Sequence, residues 1–495
     1  MDRAVGLLAV LVAAAVALPS GPTSAAATPI RDDVDAYVQR TMDALPIAGM
    51  AVAVVQAGEI VHVAGYGTAD TAGTPVTVET PFPVASITKS FTTLAARQLA
   101  AEGLLDLSAP VRSIVAEFRL ADAAGGQGVT VQHLIDHTSG ISTYEGTRPY
   151  LHDPDQTFAG ALATLAGYRP SRAPGDAYEY SNWNAVLLGE VIARAAGRPY
   201  LDQVTDRILR PLGMDKATFA DPRSVPGAAT GNLLVLGFRR PFDDPYVPVM
   251  ASAGNLTVSV EELAGYLLEL ATGGATVLPA TGRGWYDTVW RWTPGLPNDV
   301  ATSFSGAHNG YNATIQLLPA DSIGVVVLAN TRLDVLLPTP TTEQISLELA
   351  RLVAGQPARE FARGDVARGY IWLDTVLGLL AGAVLWQLFR LRGWAGRYRH
   401  AATGRQVLAW TGIVSAGSLA AAFAAAPAAL DTSWIVILNQ RAIVAWPMLA
   451  VAAALALVAL TKVGLLRAAH RHDRILTAAD PTTAVTPTGA RRPSR

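Results

Sequence analysis

The sequence predicts an α+β domain, an antiparallel β-sheet flanked by helices, followed by three transmembrane α-helices. Three observations carry this. Apolar strands arranged as hairpins stand near both ends of residues 28–362, with helical periodicities between them. Three long apolar stretches follow residue 366, each approaching the roughly 20 residues that cross a bilayer core. The charge divides at the same place. Residues 367–495 hold 14 Arg and Lys against four Asp, a balance of +10, which leaves 24 basic and 36 acidic residues, a balance of −12, in the first 366. Halves so different are not built for the same surroundings.

Taken in chain order, residues 1–27 read as a secretory signal peptide. Arg3 supplies the positive start, Gly6 to Leu18 the apolar stretch, and Ser24-Ala25-Ala26-Ala27 the small-residue cleavage site. Residues 48–55 and 60–65 read as a β-hairpin around Ala57-Gly58-Glu59. From Ser86 to Glu102 the apolar residues Ile87, Phe91, Leu94, Ala95 and Leu99 recur at helical spacing, and Gly103 ends the helix. Ser181 or Asn182 caps a second helix running to about Ala196, with Gly197 behind it. Residues 311–318 and 323–329, split by Pro319-Ala320-Asp321, make a second hairpin, and 343–354 a closing helix.

The expected spans are 370–389, 407–426 and about 442–466. Their connections give the orientation. Residues 390–405 carry five Arg and no acid, the tail after Leu466 is Arg-rich, and 427–441 hold only Asp431 and Arg441. Positive loops stay inside. The first span therefore runs inward, the second returns, the third ends inside, and residues 28–362 lie on the extracytoplasmic side of the cell membrane. Residues 467–495 form a cytoplasmic tail, rich in Pro, Thr and Arg towards its end and expected to be disordered.

Composition narrows the chemistry. A chain of 495 residues exceeds one compact core. It contains no cysteine, which removes disulfides, thiolate nucleophiles and Cys-ligated metals. Lysine occurs only at Lys89, Lys216 and Lys462, beside 35 arginines. In such a chain each Lys raises the question of whether its lower pKa is used. The acidic exported part argues against a nucleic-acid partner, and nothing in the pattern asks for a cofactor.

Ser86-Ile87-Thr88-Lys89 opens the first long helix. Residues three apart share a helix face, so the Lys89 amine reaches the Ser86 hydroxyl. A serine needs a nearby base to become a nucleophile. An amine in a desolvated pocket can lower its pKa to that task, whereas a guanidinium cannot. Alone the pattern is weak. It has partners in Tyr180-Ser181-Asn182, just ahead of a helix, and His308-Asn309-Gly310, which leads into a strand.

Together these motifs resemble the penicillin-binding-protein and β-lactamase family of serine hydrolases. The Tyr-x-Asn form of the middle motif is similar to class C β-lactamases and the related D-alanyl-D-alanine carboxypeptidases, D-aminopeptidases and esterases. Residues 133–140, His-Leu-Ile-Asp-His-Thr-Ser-Gly, resemble the family's HLLTHTSG segment, and Ala253-Gly254-Asn255-Leu256 its AGGL turn. The resemblance covers about residues 35–355. It implies that Ser86 attacks the substrate carbonyl to form an acyl-enzyme. Tyr180 and Lys89 would then shuttle the protons, with the choice of base between them left open. Asn182 would position the substrate amide, and the N–H groups of Ser86 and Tyr311 would bind the oxyanion, with His308 and Gly310 lining the same side.

His308 departs from the family's usual Lys. With a pKa near ~6.5 it holds an anion more weakly at neutral pH, which favours a D-peptidase, an amidase or an esterase over a β-lactamase. Alternatively it is a hydrogen-bonding strap. His133 and His137, four apart with Asp136 between, could ligate a metal, but no third ligand is evident. The resemblance makes that segment a helix and turn shaping the cleft, and no metal is expected. Glu145, Asp153 and Asp155 read as solvated loop carboxylates, and His62 as structural.

Three functional classes follow: a peptidase or amidase of D-amino-acid-containing substrates, an esterase or β-lactamase, and a non-hydrolytic β-lactam or peptidoglycan sensor. The tail carries no recognisable signalling domain, which lowers the last. Partners are therefore a small peptide, ester or β-lactam-like substrate and the lipid bilayer. Prodrug-maturing peptidases of the family have the same layout of exported domain and three spans, a likeness of architecture. Nothing in the sequence fixes the oligomeric state.

Overall fold

β1 (Gly49–Gln56) and β2 (Glu59–Gly67) form the first expected hairpin. Its two-residue turn places Ala57 at φ +52° and Gly58 at φ +83°, the pairing whose twist matches that of the flanking strands. The computed structural model that gives this geometry describes residues 30–399, apart from 122–125, 144, 146–155, 171, 236–237, 243–244, 274–275, 278–301, 334–340 and 363, then scattered positions within 413–425, and 442–479.

A strand absent from the sequence reading, β3 (Thr302–His308), pairs with β4 (Tyr311–Leu318) across Asn309-Gly310. β4 turns through Pro319–Asp321 into β5 (Ile323–Ala329), the second expected hairpin. Among the described residues the central sheet runs β2-β1-β5-β4-β3, antiparallel throughout. β1 lies beside β5, with Met50 opposite Ala329 and Gln56 opposite Ile323. The two ends of the domain therefore meet at the sheet's centre.

Side chains alternate across a strand, and here both faces are covered. Met50, Val52, Val54, Val325 and Val327 pack under α1 (Ile30–Ala44) and α5 (Thr341–Val353). Ala51, Ala53, Val55, Val326 and Leu328 join the larger core with α2 (Thr88–Ala101), α3 (Asn182–Ala196) and α4 (Val260–Thr272). The expected α+β class holds, with α1 and α4 added. Ser181 stands at the N-cap of α3 by its extended backbone, but its side chain makes no capping bond. That corrects the expected cap: the backbone N–H of Ser181 is directed at His137.

His62 is structural as expected, its Nε2 2.8 Å from the Tyr66 hydroxyl, which donates to Asp35 Oδ1 at 2.5 Å. Glu145 is not solvated. It is only 5% exposed, and its backbone N–H donates to Ser142 Oγ. Asp153 and Asp155 lie outside the described residues.

α6 (Asp365–Arg399) and α7 (Ala442–Ala479) include the first and third expected spans. They pack through Val384, Val451, Leu455 and Val458, and Lys462 Nζ donates to Gln387 Oε1 at 2.6 Å. Among the described residues no helix is long and apolar enough to cross a membrane. The expected signal peptide, most of 407–426 and the tail beyond 479 lie outside the described residues.

Leu328, the last residue but one of β5, reaches the core with no exposure. Its replacement by Ala is expected to cost about 2–5 kcal/mol. Urea unfolding checks this: the midpoint should fall with the slope unchanged.

Candidate active site

The position of Ser86 begins with a strained turn. Val84 N–H donates to Leu256 O at 2.9 Å, and Ala85 then takes φ +48°, a left-handed conformation unfavourable for any residue with a Cβ. A 3₁₀ turn, Ala85–Ile87, carries Ser86 into α2. Thr88 Oγ1 closes the turn on Ala85 O at 2.7 Å. β3 presses against it at Gly306, where a Cβ would stand 2.2 Å from Val84 O and 2.8 Å from Ser86 N. Only glycine allows that approach.

One helical step on, Lys89 Nζ donates to Ser86 Oγ at 3.1 Å and to Ala253 O at 2.5 Å. It lies 5.0 Å from the centroid of the Tyr180 ring. Lys89 is 4% exposed, whereas Ser86 keeps part of its surface open. Burial pulls the Lys89 amine down to about 7. The Tyr180 hydroxyl lies 2.7 Å from Ser86 Oγ and donates to Asn182 Oδ1 at 3.3 Å. Burial pushes that phenol up to about 12, against the pull of its bond to Ser86. The phenol thus keeps its proton at neutral pH while the amine is poised to exchange one. The expected catalytic residues, Ser86, Lys89 and Tyr180, form one chain ending on Asn182. Such a chain can withdraw a proton from a serine attacking a carbonyl and return it to a leaving group.

The third motif plays a different part from the one a lysine would. His308 Nε2 lies 2.8 Å from Gly254 O. A carbonyl only accepts, so Nε2 carries the hydrogen and the ring straps β3 to the 253–256 turn. Gly310 takes φ +93°, and a Cβ there would stand 2.9 Å from Asn232 N. It is a turn glycine in close backbone contact. The Tyr311 hydroxyl donates to Ala229 O at 2.9 Å, which ties its side chain to that loop.

The two decoy histidines part company. His133 Nδ1 accepts from Thr130 N–H at the start of a short helix. His137 Nδ1 accepts from Ser181 N–H and Asn184 Nδ2. Burial and the Lys89 charge hold the His137 imidazole down to about 3. Among the described residues no cluster suited to a metal occurs. Beside His308 and Tyr311 opens a cavity of about 460 Å³, lined also by Asp70, Arg223, Tyr246 and Asn255. Sequence reading did not find these lining residues; they come from separate loops with no shared spacing. The Asn-Gly pair at 309–310 was a usable hairpin signal for β3.

A protonated Lys89 cannot accept the Ser86 proton. Turnover of an activated ester should therefore rise with pH through about 7 and fall away below it. Lys89→Arg, unable to lose its charge, should lose the rise and about 10²–10⁴-fold in kcat/KM. A pH series of kcat/KM on both proteins checks this.

The beta-lactamase family model matches residues 34–344. Esterase EstB of Burkholderia gladioli is 34% identical over 199 residues, which is 38% of this chain and 50% of that protein. The chain spans half or less of the length of the curated relatives it first matches. An octameric penicillin-binding protein homologue from Pyrococcus abyssi superposes with TM-score 0.56 at 25% identity, over 70% of this chain and 81% of its own. A class C beta-lactamase superposes with TM-score 0.54 over 67% of this chain and 97% of its own, and at 22% identity that likeness shows the fold alone. The serine, lysine and tyrosine motifs thus stand on a fold and a sequence match that agree, and the chain belongs to the beta-lactamase family.

Proposed function

We propose that this chain is a membrane-anchored, extracytoplasmic serine hydrolase that works through a Ser86 acyl-enzyme on amides of D-amino-acid-containing substrates. The observation that carries the reading is the continuous chain from Lys89 Nζ through Ser86 Oγ to Tyr180 OH, at 3.1 and 2.7 Å. Ser86 Oγ bonds to the substrate carbonyl carbon as its proton passes to Lys89. The carbonyl oxygen, now negative, is held by the N–H groups of Ser86 and Tyr311. Tyr180 donates to the leaving amine, taking a proton in turn from Lys89, and the C–N bond breaks. Water repeats the sequence on the acyl-enzyme and Ser86 leaves. Asn182 orients the amide, and the cavity beside His308 accommodates the remainder of the substrate.

A second reading, an ester as substrate, is favoured by His308. Its ring is committed to Gly254 O, and no lysine ammonium stands at that corner for a substrate carboxylate. The likeness to esterase EstB points the same way.

A fluorophosphonate should label Ser86 of the full chain in mild detergent, as read by mass spectrometry, and Ser86→Ala should not label. A folded, unlabelled wild type would remove the hydrolase reading. Labelled protein is then given D- and L-configured amides, esters and a chromogenic cephalosporin. The first reading expects D-amides to be cleaved at least about tenfold faster than L; turnover of esters alone would select the second.

The membrane part of the proposal is supported by the apolar stretches at 370–389 and 442–466 with their Arg-rich flanks. Leu379, Leu385, Phe389 and Leu460, each at least 65% exposed on α6 and α7, present apolar surface to their surroundings. The full chain should remain in the membrane pellet after alkaline carbonate extraction, and a chain ending at residue 366 should be released. Release of the full chain would refute anchoring without touching the Ser86 chemistry.

A further inference from the structure

His137 sits in an uncommon backbone conformation. Its φ is +53°, in the left-handed region that few residues other than glycine occupy, Asn, Asp and His being the ones that enter it most readily. Its contacts account for a histidine there. The imidazole stacks on Tyr180, ring centroids 4.8 Å apart and planes inclined by 26°, and meets Tyr178 edge-on at 5.9 Å. The backbone carbonyl of His137 accepts from Glu179 N–H at 2.8 Å, and its Nδ1 accepts from Ser181 N–H at 3.2 Å. One residue thus supplies two acceptors to alternate backbone donors of an extended segment, as a neighbouring strand would. Asn184 Nδ2, itself fixed by Ser139 Oγ through Oδ1, adds a second donor at 3.0 Å to the same Nδ1. Two N–H groups directed at Nδ1 leave no room for a proton there, so any ring hydrogen resides on Nε2.

We infer that His137 is a positioning residue: it holds the segment 178–181 and the Tyr180 ring so that the tyrosine hydroxyl meets Ser86 Oγ. It acts through Tyr180, on whose ring it stacks. The inference rests on the hydrolase reading above and adds to it a residue whose own chemistry is not used in the reaction.

The test is a double-mutant cycle on the full chain, read as the rate of Ser86 labelling by a fluorophosphonate and as kcat and KM on an activated ester. His137→Phe keeps a flat ring and loses the acceptor. His137→Asn tolerates the left-handed backbone, keeps an acceptor and loses the stack. Each should lower kcat by about 10- to 100-fold, the scale of a small misplacement, with KM within about threefold. In a Tyr180→Phe background the same substitutions should change the rate by less than about twofold, because there is no hydroxyl left to position. Equal losses in both backgrounds would overturn the inference and leave His137 a general structural residue. Melting curves identify any variant that does not fold; should both fail, Asn184→Ala, which withdraws a donor from Nδ1, carries the same cycle with the same criterion. A wild type that never labels removes the hydrolase reading itself, an outcome distinct from an additive cycle in a wild type that does.

Discussion

Keeping an amine almost dry beside a serine is the demand that organises this molecule. An ammonium prefers water, and α2 denies it any: Thr88, Ser90, Phe91, Thr92 and Thr93 around Lys89 are all buried. The site answers with the Ala253 carbonyl, the Ser86 hydroxyl and the face of Tyr180. For the carbonyl to serve, residues 251–256 have to be immobile, and they are held from every side. Thr92 donates to Ser252 O, Asn255 donates to Val247 O, Leu256 N–H donates to Thr88 Oγ1, and His308 donates to Gly254 O. Gly189 of α3 completes the grip, since any Cβ there would meet Ser252 at 2.6 Å.

This explains how a histidine can replace the family's lysine at the third motif without loosening the site. His308 has become part of the frame around the amine. The charge a lysine would have offered to a substrate is exchanged for a bond that fixes the turn carrying Ala253. The middle motif is framed in the same manner, by His137 on one side and by Asn184 and Ser139 behind it.

What could be read in the sequence was whatever depends on near neighbours. Ser86 and Lys89 share a helix face by spacing alone, and α3 ends where Gly197 takes φ +66°. The β1–β2 and β4–β5 hairpins are apolar runs bounded by turn residues, and all were legible. β3 was not, because Thr-Ser-Phe-Ser-Gly-Ala-His is polar and contains the glycine that the serine turn requires. The partners of His137 lie 44 and 47 residues downstream, and that of His308 lies 54 upstream. No local pattern announces them. Ser181 misled for a related reason: it stands at the N-cap of α3, but its backbone N–H is directed at the distant His137 and its side chain makes no capping bond.

The pairing of β1 with β5 sets an order of events. The first strand of the domain finds its second neighbour only when the last strand exists, and the helical half is looped out between them. Folds closed by such distant pairings form slowly, since loop entropy is lost before the contacts repay it. Ser86 shares this dependence, for its turn rests on Gly306 and its framing histidine is residue 308. During synthesis the chain carries its serine early, and the packing that frames it is complete only once the final hairpin has arrived.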